Sequence, residues 1–158
     1  MSDFYYLHVS PWSEKAAWAM DLARFDYRKL HFTPMITTPL VRFKSLNFTR
    51  KVTVPMLIND NKKIVGSYNI AQYMDEQYSQ KDNQPDSVFP IELKKEIDEW
   101  EALSDQLLQA GRALVCIRMK SHKGAKLASL PAEIPASIRP FMLPVATMGL
   151  YYFKIKYG

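Results

Sequence analysis

An α/β domain built on a mixed four-stranded sheet, followed by an all-α region, is the architecture that the sequence predicts. Three observations predict it. The chain opens strand–helix–strand. A proline-bearing apolar run at 52–60 is followed at once by a second short run at 63–66. Beyond a polar, proline-bearing stretch at 79–90, apolar residues recur at steps of three and four.

Each element follows from its residues. Positions 4–10 (FYYLHVS) are aromatic and β-branched and end at Ser10-Pro11, the pattern of a buried strand. Positions 12–25 are rich in helix formers, with Ala16, Ala17, Met20, Ala23 and Arg24 at helical spacing and Ser13 and Glu14 at the start. Tyr27 to Thr33 alternates as a second strand, so the first two strands are parallel with a right-handed crossover. Positions 34–50 read as a loop and one irregular helix. The run VTVPMLIND carries Pro55, which would lose a ladder hydrogen bond inside a central strand. Pro55 therefore belongs at a strand start, with a cis peptide bond before it. Asn61-Lys62 turns the chain into KIVG as an antiparallel partner, and Ser67 caps a helix with Ile70, Tyr73 and Met74 on one face. From 91 to 119 the residues Leu93, Ile97, Trp100, Leu103, Leu107 and Leu114 mark one long amphipathic helix. A loop with three breakers follows, then a helix over 136–156 bent near Pro140 and Pro144. The domain boundaries expected are 1–80, a linker at 81–90, and a helical domain over 91–158.

Composition narrows the function. With 158 residues, 47% apolar and 23% charged, the chain is one globular domain or two small ones. Its one cysteine, Cys116, excludes an intrachain disulfide, a cysteine-rich zinc module and a CxxC redox pair. Three scattered histidines, His8, His31 and His122, outline no metal site, and no metal is expected. His8 reads as a hydrogen-bonded strand histidine, with a general base as the alternative. The net charge is +5, and the run from Arg112 to Lys126 holds Arg118, Lys120 and Lys123 with no acid. It reads as a solvated helix end and loop, or as an anion site; no nucleic-acid motif accompanies it. The N-terminus, with Asp3 and neither a basic stretch nor a long apolar core, is not expected to be a signal peptide. The apolar stretch Phe141–Phe153 is thirteen residues long, short of the ~20 that span a bilayer, so membrane insertion is not expected. An apolar helix just before Gly158 is expected to be covered by the 91–119 helix, by further chain or by a partner.

Three segments, in order and spacing, resemble the glutathione transferases. SPWSEKAAWAM (10–20) resembles the loop and first helix of serine- and cysteine-type members. VTVPMLI (52–58) is similar to the strand with the family's cis-proline, and GSYNIAQYMDE (66–76) to its Glu-Ser-x-x-Ile helix start, most like tau-like and bacterial members. The resemblance implies a thioredoxin-like domain over 1–80 and an all-α second domain, here apparently incomplete. It implies glutathione as co-substrate, with Ser10 donating a hydrogen bond to the sulfur and lowering its pKa. Ser13 is the second candidate donor. Val54 and Pro55 would present backbone to the cysteinyl part, and Ser67 would hold the γ-glutamyl carboxylate at a helix N-terminus. Lys51 stands near the position where tau-like members have a lysine, which is Thr53 here. Gly66 departs from the family's acid or glutamine, and Gly66→Glu is expected to tighten binding by supplying an acid for the ligand's ammonium group. Trp12 and Trp18 read as packing residues.

The implied activity is conjugation of glutathione to an electrophile through the thiolate at Ser10, in a cytoplasmic homodimer. Two alternatives stay open: a non-catalytic binding or scaffold protein of the same fold, and a glutathione-dependent isomerase or dehalogenase.

Overall fold

The computed structural model describes residues 1–32, 52–60, 62–78, 87–130 and 134–157. They form two compact units, Met1–Glu101 and Ala102–Gly158. The irregular helix expected within 34–50 and the linker at 81–86 lie outside the described residues, as does Lys51.

The first unit is a four-stranded sheet with two helices packed on one face. Its strands are β1 (Ser2–Tyr6), β2 (Tyr27–His31), β3 (Met56–Asn59) and β4 (Lys62–Val65), in the spatial order β2-β1-β3-β4. β1 and β2 are parallel, with Tyr6 opposite His31; β3 is antiparallel to both its neighbours, with Tyr5 opposite Met56 and Met56 opposite Val65. The mixed four-stranded sheet is thus present as expected. β1 is earlier than the aromatic run suggested. Ser2 enters the strand because its hydroxyl donates to Asn59 Oδ1 across the sheet, and the Asn59 amide donates on to Tyr73 Oη. Residues His8 and Val9 leave it as an exposed turn, so His8 is not a strand residue.

The helices α1 (Pro11–Leu22) and α2 (Ser67–Tyr78) cover one sheet face. Strand alternation sends Phe4, Leu57 and Ile64 to that face, where they meet Ala16, Ala17 and Met20 of α1 and Ile70 and Met74 of α2. The small residues Ala16 and Ala17 let α1 lie close to the sheet. Tyr5 and Met56 point the other way and join Phe32 and Val52 in a second cluster. The Tyr5 side chain is 2% exposed and its hydroxyl has no hydrogen-bond partner among the described residues. A buried hydroxyl without a partner costs about 1–3 kcal/mol. Tyr5→Phe is therefore expected to leave the protein as stable as before or more so, read from the urea midpoint; a loss of stability would mean that the hydroxyl is satisfied in solution.

The α3 helix (Lys94–Met119) follows a single 3₁₀ turn, Ile91–Leu93, and crosses the division between the two units. Its N-terminal part is tied into the first unit. Lys15 of α1 meets Glu101 at 2.5 Å, and the Tyr68 hydroxyl donates to Asp98. The stripe that the sequence marks on α3 is not a core seam among the described residues. Trp100 is 63% and Leu107 72% exposed, and Leu93, Leu103 and Leu114 also face solvent.

In the second unit, α4 (Lys123–Ala128) occupies what the sequence suggested was loop, and α5 (Leu143–Tyr157) follows a 3₁₀ segment, Arg139–Met142. Pro140 and Pro144 each sit in the first turn of their segment, where a missing N–H costs nothing, so they start helices rather than bend one. Leu130 and Ala146 are buried, while Val145, Met148 and Tyr151 are exposed. No helix among the described residues is long and apolar enough to cross a membrane.

Candidate functional site

The strand register gathers the candidate residues at one end of the sheet. β1 runs out at Tyr6 towards Ser10, while β3 begins at Met56 directly after Val54-Pro55 and β4 ends at Val65 directly before Gly66-Ser67. Because Tyr5 lies opposite Met56 and Met56 opposite Val65, these three connections share that end. The Gly66 N–H donates to the Pro55 carbonyl at 3.0 Å, linking two of them directly.

Ser10 is the N-cap of α1. Its backbone is extended, with φ −99° and ψ 116°, and its side chain makes no capping hydrogen bond. The carbonyl does the capping work, accepting the Ser13 N–H at 2.9 Å and the Glu14 N–H at 3.2 Å. The turn before it closes through Ser10 N–H to the Leu7 carbonyl at 2.9 Å. Ser13, only 1% exposed, accepts the Leu7 N–H on its Oγ at 3.1 Å. Ser13 thus holds the turn from within, and the Ser10 hydroxyl makes no capping bond beside a helix N-terminus, where partial positive charge favours an anion.

The Val54–Pro55 bond is cis, as expected. Pairing in β3 begins at Met56, so Val54 precedes the ladder and its backbone lies outside it. Pro55 is buried and Val54 half-buried. Ser67 is buried and is the first residue inside α2 rather than its cap: the Gly66 carbonyl accepts the Ile70 N–H at 3.0 Å, which makes Gly66 the N-cap. Beside it, Tyr68 is pushed up to about 12 by the hydrogen bond it donates to Asp98, with smaller contributions from burial and from the charge of Asp98. Asp98 is held below its usual value by that bond and by Lys94.

Gly66 has φ +95°, in the region that L side chains rarely adopt. That changes the expectation for an acid here. A Cβ would meet only the Asn69 amide, at 3.7 Å, so the obstacle is backbone conformation and not space. Gly66→Ala is expected to destabilise the fold by about 1–2 kcal/mol, and Gly66→Glu carries the same cost beside any gain from its charge. A thermal melt of Gly66→Ala checks this; an unchanged midpoint would show that the turn relaxes to negative φ.

The other sequence candidates separate. Trp12 is half-buried, whereas Trp18 is 70% exposed and is no packing residue. Cys116 is half-buried on α3, and burial pushes its thiol up against a weaker opposing pull from Arg112, the reverse of an activated nucleophile. His8 and His31 come together: Nδ1 of one lies 2.9 Å from Nε2 of the other. No local motif marks this pair, yet the parallel register of Tyr6 with His31 carries it, since His8 lies two positions beyond Tyr6.

The sequence profile described as the glutathione S-transferase N-terminal domain matches residues 4–82, half of the chain. The chain belongs to the glutathione S-transferase family. A search of curated proteins gave no significant match. Among solved structures, this glutathione S-transferase chain is similar to a glutathione S-transferase from Methylobacillus flagellatus, determined with GSH bound: 19% identity, TM-score 0.54, covering 97% of this chain and 68% of that one. It is similar also to a glutathione S-transferase from Ceriporiopsis subvermispora in complex with glutathione: 14% identity, TM-score 0.57, covering 96% of this chain and 70% of that one. These likenesses establish a glutathione S-transferase fold that continues beyond the matched N-terminal domain.

Proposed function

We propose that the chain binds glutathione at this sheet end and activates its thiol for conjugation to an electrophile. The observation that carries the reading is the Ser10 hydroxyl, which makes no capping bond at the N-terminus of α1, at the sheet end that also holds Val54-Pro55 and the start of α2. Two helix N-termini suit two anionic groups, a thiolate and a carboxylate. In this reading the thiolate meets Ser10 and the γ-glutamyl carboxylate meets Ser67. The Val54 backbone between them pairs with the cysteinyl part as an added strand would. A hydrogen bond from Ser10 favours the charged sulfur over the neutral thiol and so lowers its pKa. The thiol proton passes to solvent, attack by the sulfur forms a carbon–sulfur bond, and either the leaving group departs with its bonding pair or the electrophile's π pair shifts to a neighbouring atom that then takes up a proton. The two similar structures that hold glutathione support the choice of ligand. Homodimerisation and a cytoplasmic location belong to the same reading, by the family's habit.

One observation favours the non-catalytic alternative. Gly66 offers no side chain to the ligand's ammonium group, and its φ explains why none is tolerated cheaply. Calorimetry of the full chain with glutathione separates the two. Binding at millimolar ligand or tighter is expected; no heat at that concentration leaves the scaffold reading. Given binding, turnover of a chlorinated aromatic, and not of a maleyl-type isomerisation substrate, separates conjugation from isomerisation.

A further inference from the structure

The pair His8 and His31 lies at the same sheet end but outside the glutathione reading. His31 closes β2, and its ring is held by the edge of Tyr6, with centroids 5.7 Å apart and planes at 85°. His8 sits on the exposed turn between β1 and Ser10. The two imidazoles are 5.1 Å apart, tilted by 39°, with Nδ1 of His8 2.9 Å from Nε2 of His31. We propose that these two histidines chelate a first-row transition ion such as Zn²⁺ or Cu²⁺.

The distance is the reason. Two nitrogens each about 2.0–2.1 Å from one ion, at square or tetrahedral angles, lie about 2.8–3.4 Å apart. The pair stands inside that interval without movement of the backbone; an ion replaces the hydrogen bond between the rings, and rotation of the exposed His8 ring aims its Nδ1 lone pair at the point that Nε2 of the held His31 faces. Imidazole is a good ligand for zinc, copper and nickel. A neutral imidazole carries one proton, so the ring that donates in the free pair changes tautomer when the ion binds, and no proton is lost. His31 is fixed by Tyr6 and by its strand, and it supplies the pre-organised half of the chelate. Among the described residues no third histidine, cysteine or carboxylate joins the pair, and the exposure of His8 leaves the remaining positions on the ion open to water. Two protein ligands make an exchangeable site rather than a structural one. An ion here would stand two residues upstream of Ser10, on the turn that positions its hydroxyl.

The test uses the full chain without glutathione, so its outcome is independent of the proposed activity. One equivalent of Zn²⁺ is expected to shift the ring resonances of His8 and His31 together while leaving those of His122, in the second unit, in place. His8→Gln and His31→Gln should each weaken Zn²⁺ binding by at least about tenfold, since even partners that only orient a ligand cost 10–100-fold when removed. His122→Gln should bind as the parent does. Zn²⁺ that moves only one of the two rings, that binds both variants as tightly as the parent, or that follows His122 instead overturns the proposal. His8→Gln lies on an exposed turn and leaves the strands intact, so loss of binding in that variant reports on the ligand and not on folding.

Discussion

Replacing Ser10 by alanine is expected to slow glutathione conjugation about ten- to a hundredfold while leaving glutathione affinity nearly unchanged. The effect is electrostatic. The hydroxyl makes no cap bond, so its removal takes nothing from α1. What it removes is one donor to the bound sulfur. A hydrogen bond to a charged group is worth about 1.5–3 kcal/mol, and that energy appears only when the sulfur is ionised. Bound thiol and the rest of the tripeptide feel little of it. The thiolate's ultraviolet absorbance against pH should therefore move to higher pH in Ser10→Ala, with kcat falling alongside. Equal turnover in the variant and the parent would place thiol activation somewhere other than Ser10.

The second large effect is on stability. Phe4→Ala is expected to cost about 3–5 kcal/mol, a large part of the 5–15 kcal/mol that holds a typical domain. Phe4 is fully buried at the centre of the sheet, opposite Leu57, stacked 5.9 Å from Tyr6 and edge-on to Tyr27 at 5.6 Å. Helix α1 presents Ala16 and Ala17 to the same cluster, and side chains so short cannot move in to fill the space. Urea unfolding measures the cost. Trp18→Ala is the control: a larger side chain, 70% exposed, whose loss should change stability by less than about 0.5 kcal/mol. A small effect at Phe4 would mean that the core collapses around the vacancy, which two rigidly paired strands should prevent.

Legibility in the sequence followed the range of the forces involved. The alternation in β1 and β3 and the small residues of α1 are local, and they predict the sheet, its mixed pairing and the buried face of α1. Pro55 was legible because proline excludes itself from a ladder. The boundaries of β1 were not legible: a serine at its start is buried only because Asn59, far along the chain, accepts its hydrogen bond. The spacing of Leu93, Trp100, Leu107 and Leu114 announces a face but not its cover, and the described residues leave that face exposed. The helix α4 is shorter than two turns, too brief for periodicity to register. At the site, residue types were readable and backbone conformation was not. Gly66 looked like a missing side chain; its positive φ shows a backbone requirement instead. The meeting of His8 with His31 needs the strand register, which no local pattern contains.

The buried hydroxyl of Ser13 has a consequence for how such a scaffold diversifies. It fastens the Leu7 N–H beneath the turn, and the Ser10 backbone closes the rest, so the shape of the loop is independent of the side chain at position 10. Architecture and reactivity are thereby written at separate addresses. Position 10 can exchange its functional group, hydroxyl for thiol, with the helix start left as it is, and one substitution converts a hydrogen-bond donor into a nucleophile able to form a mixed disulfide. Position 13 has no such licence: a change there alters the loop itself, whatever chemistry the loop carries.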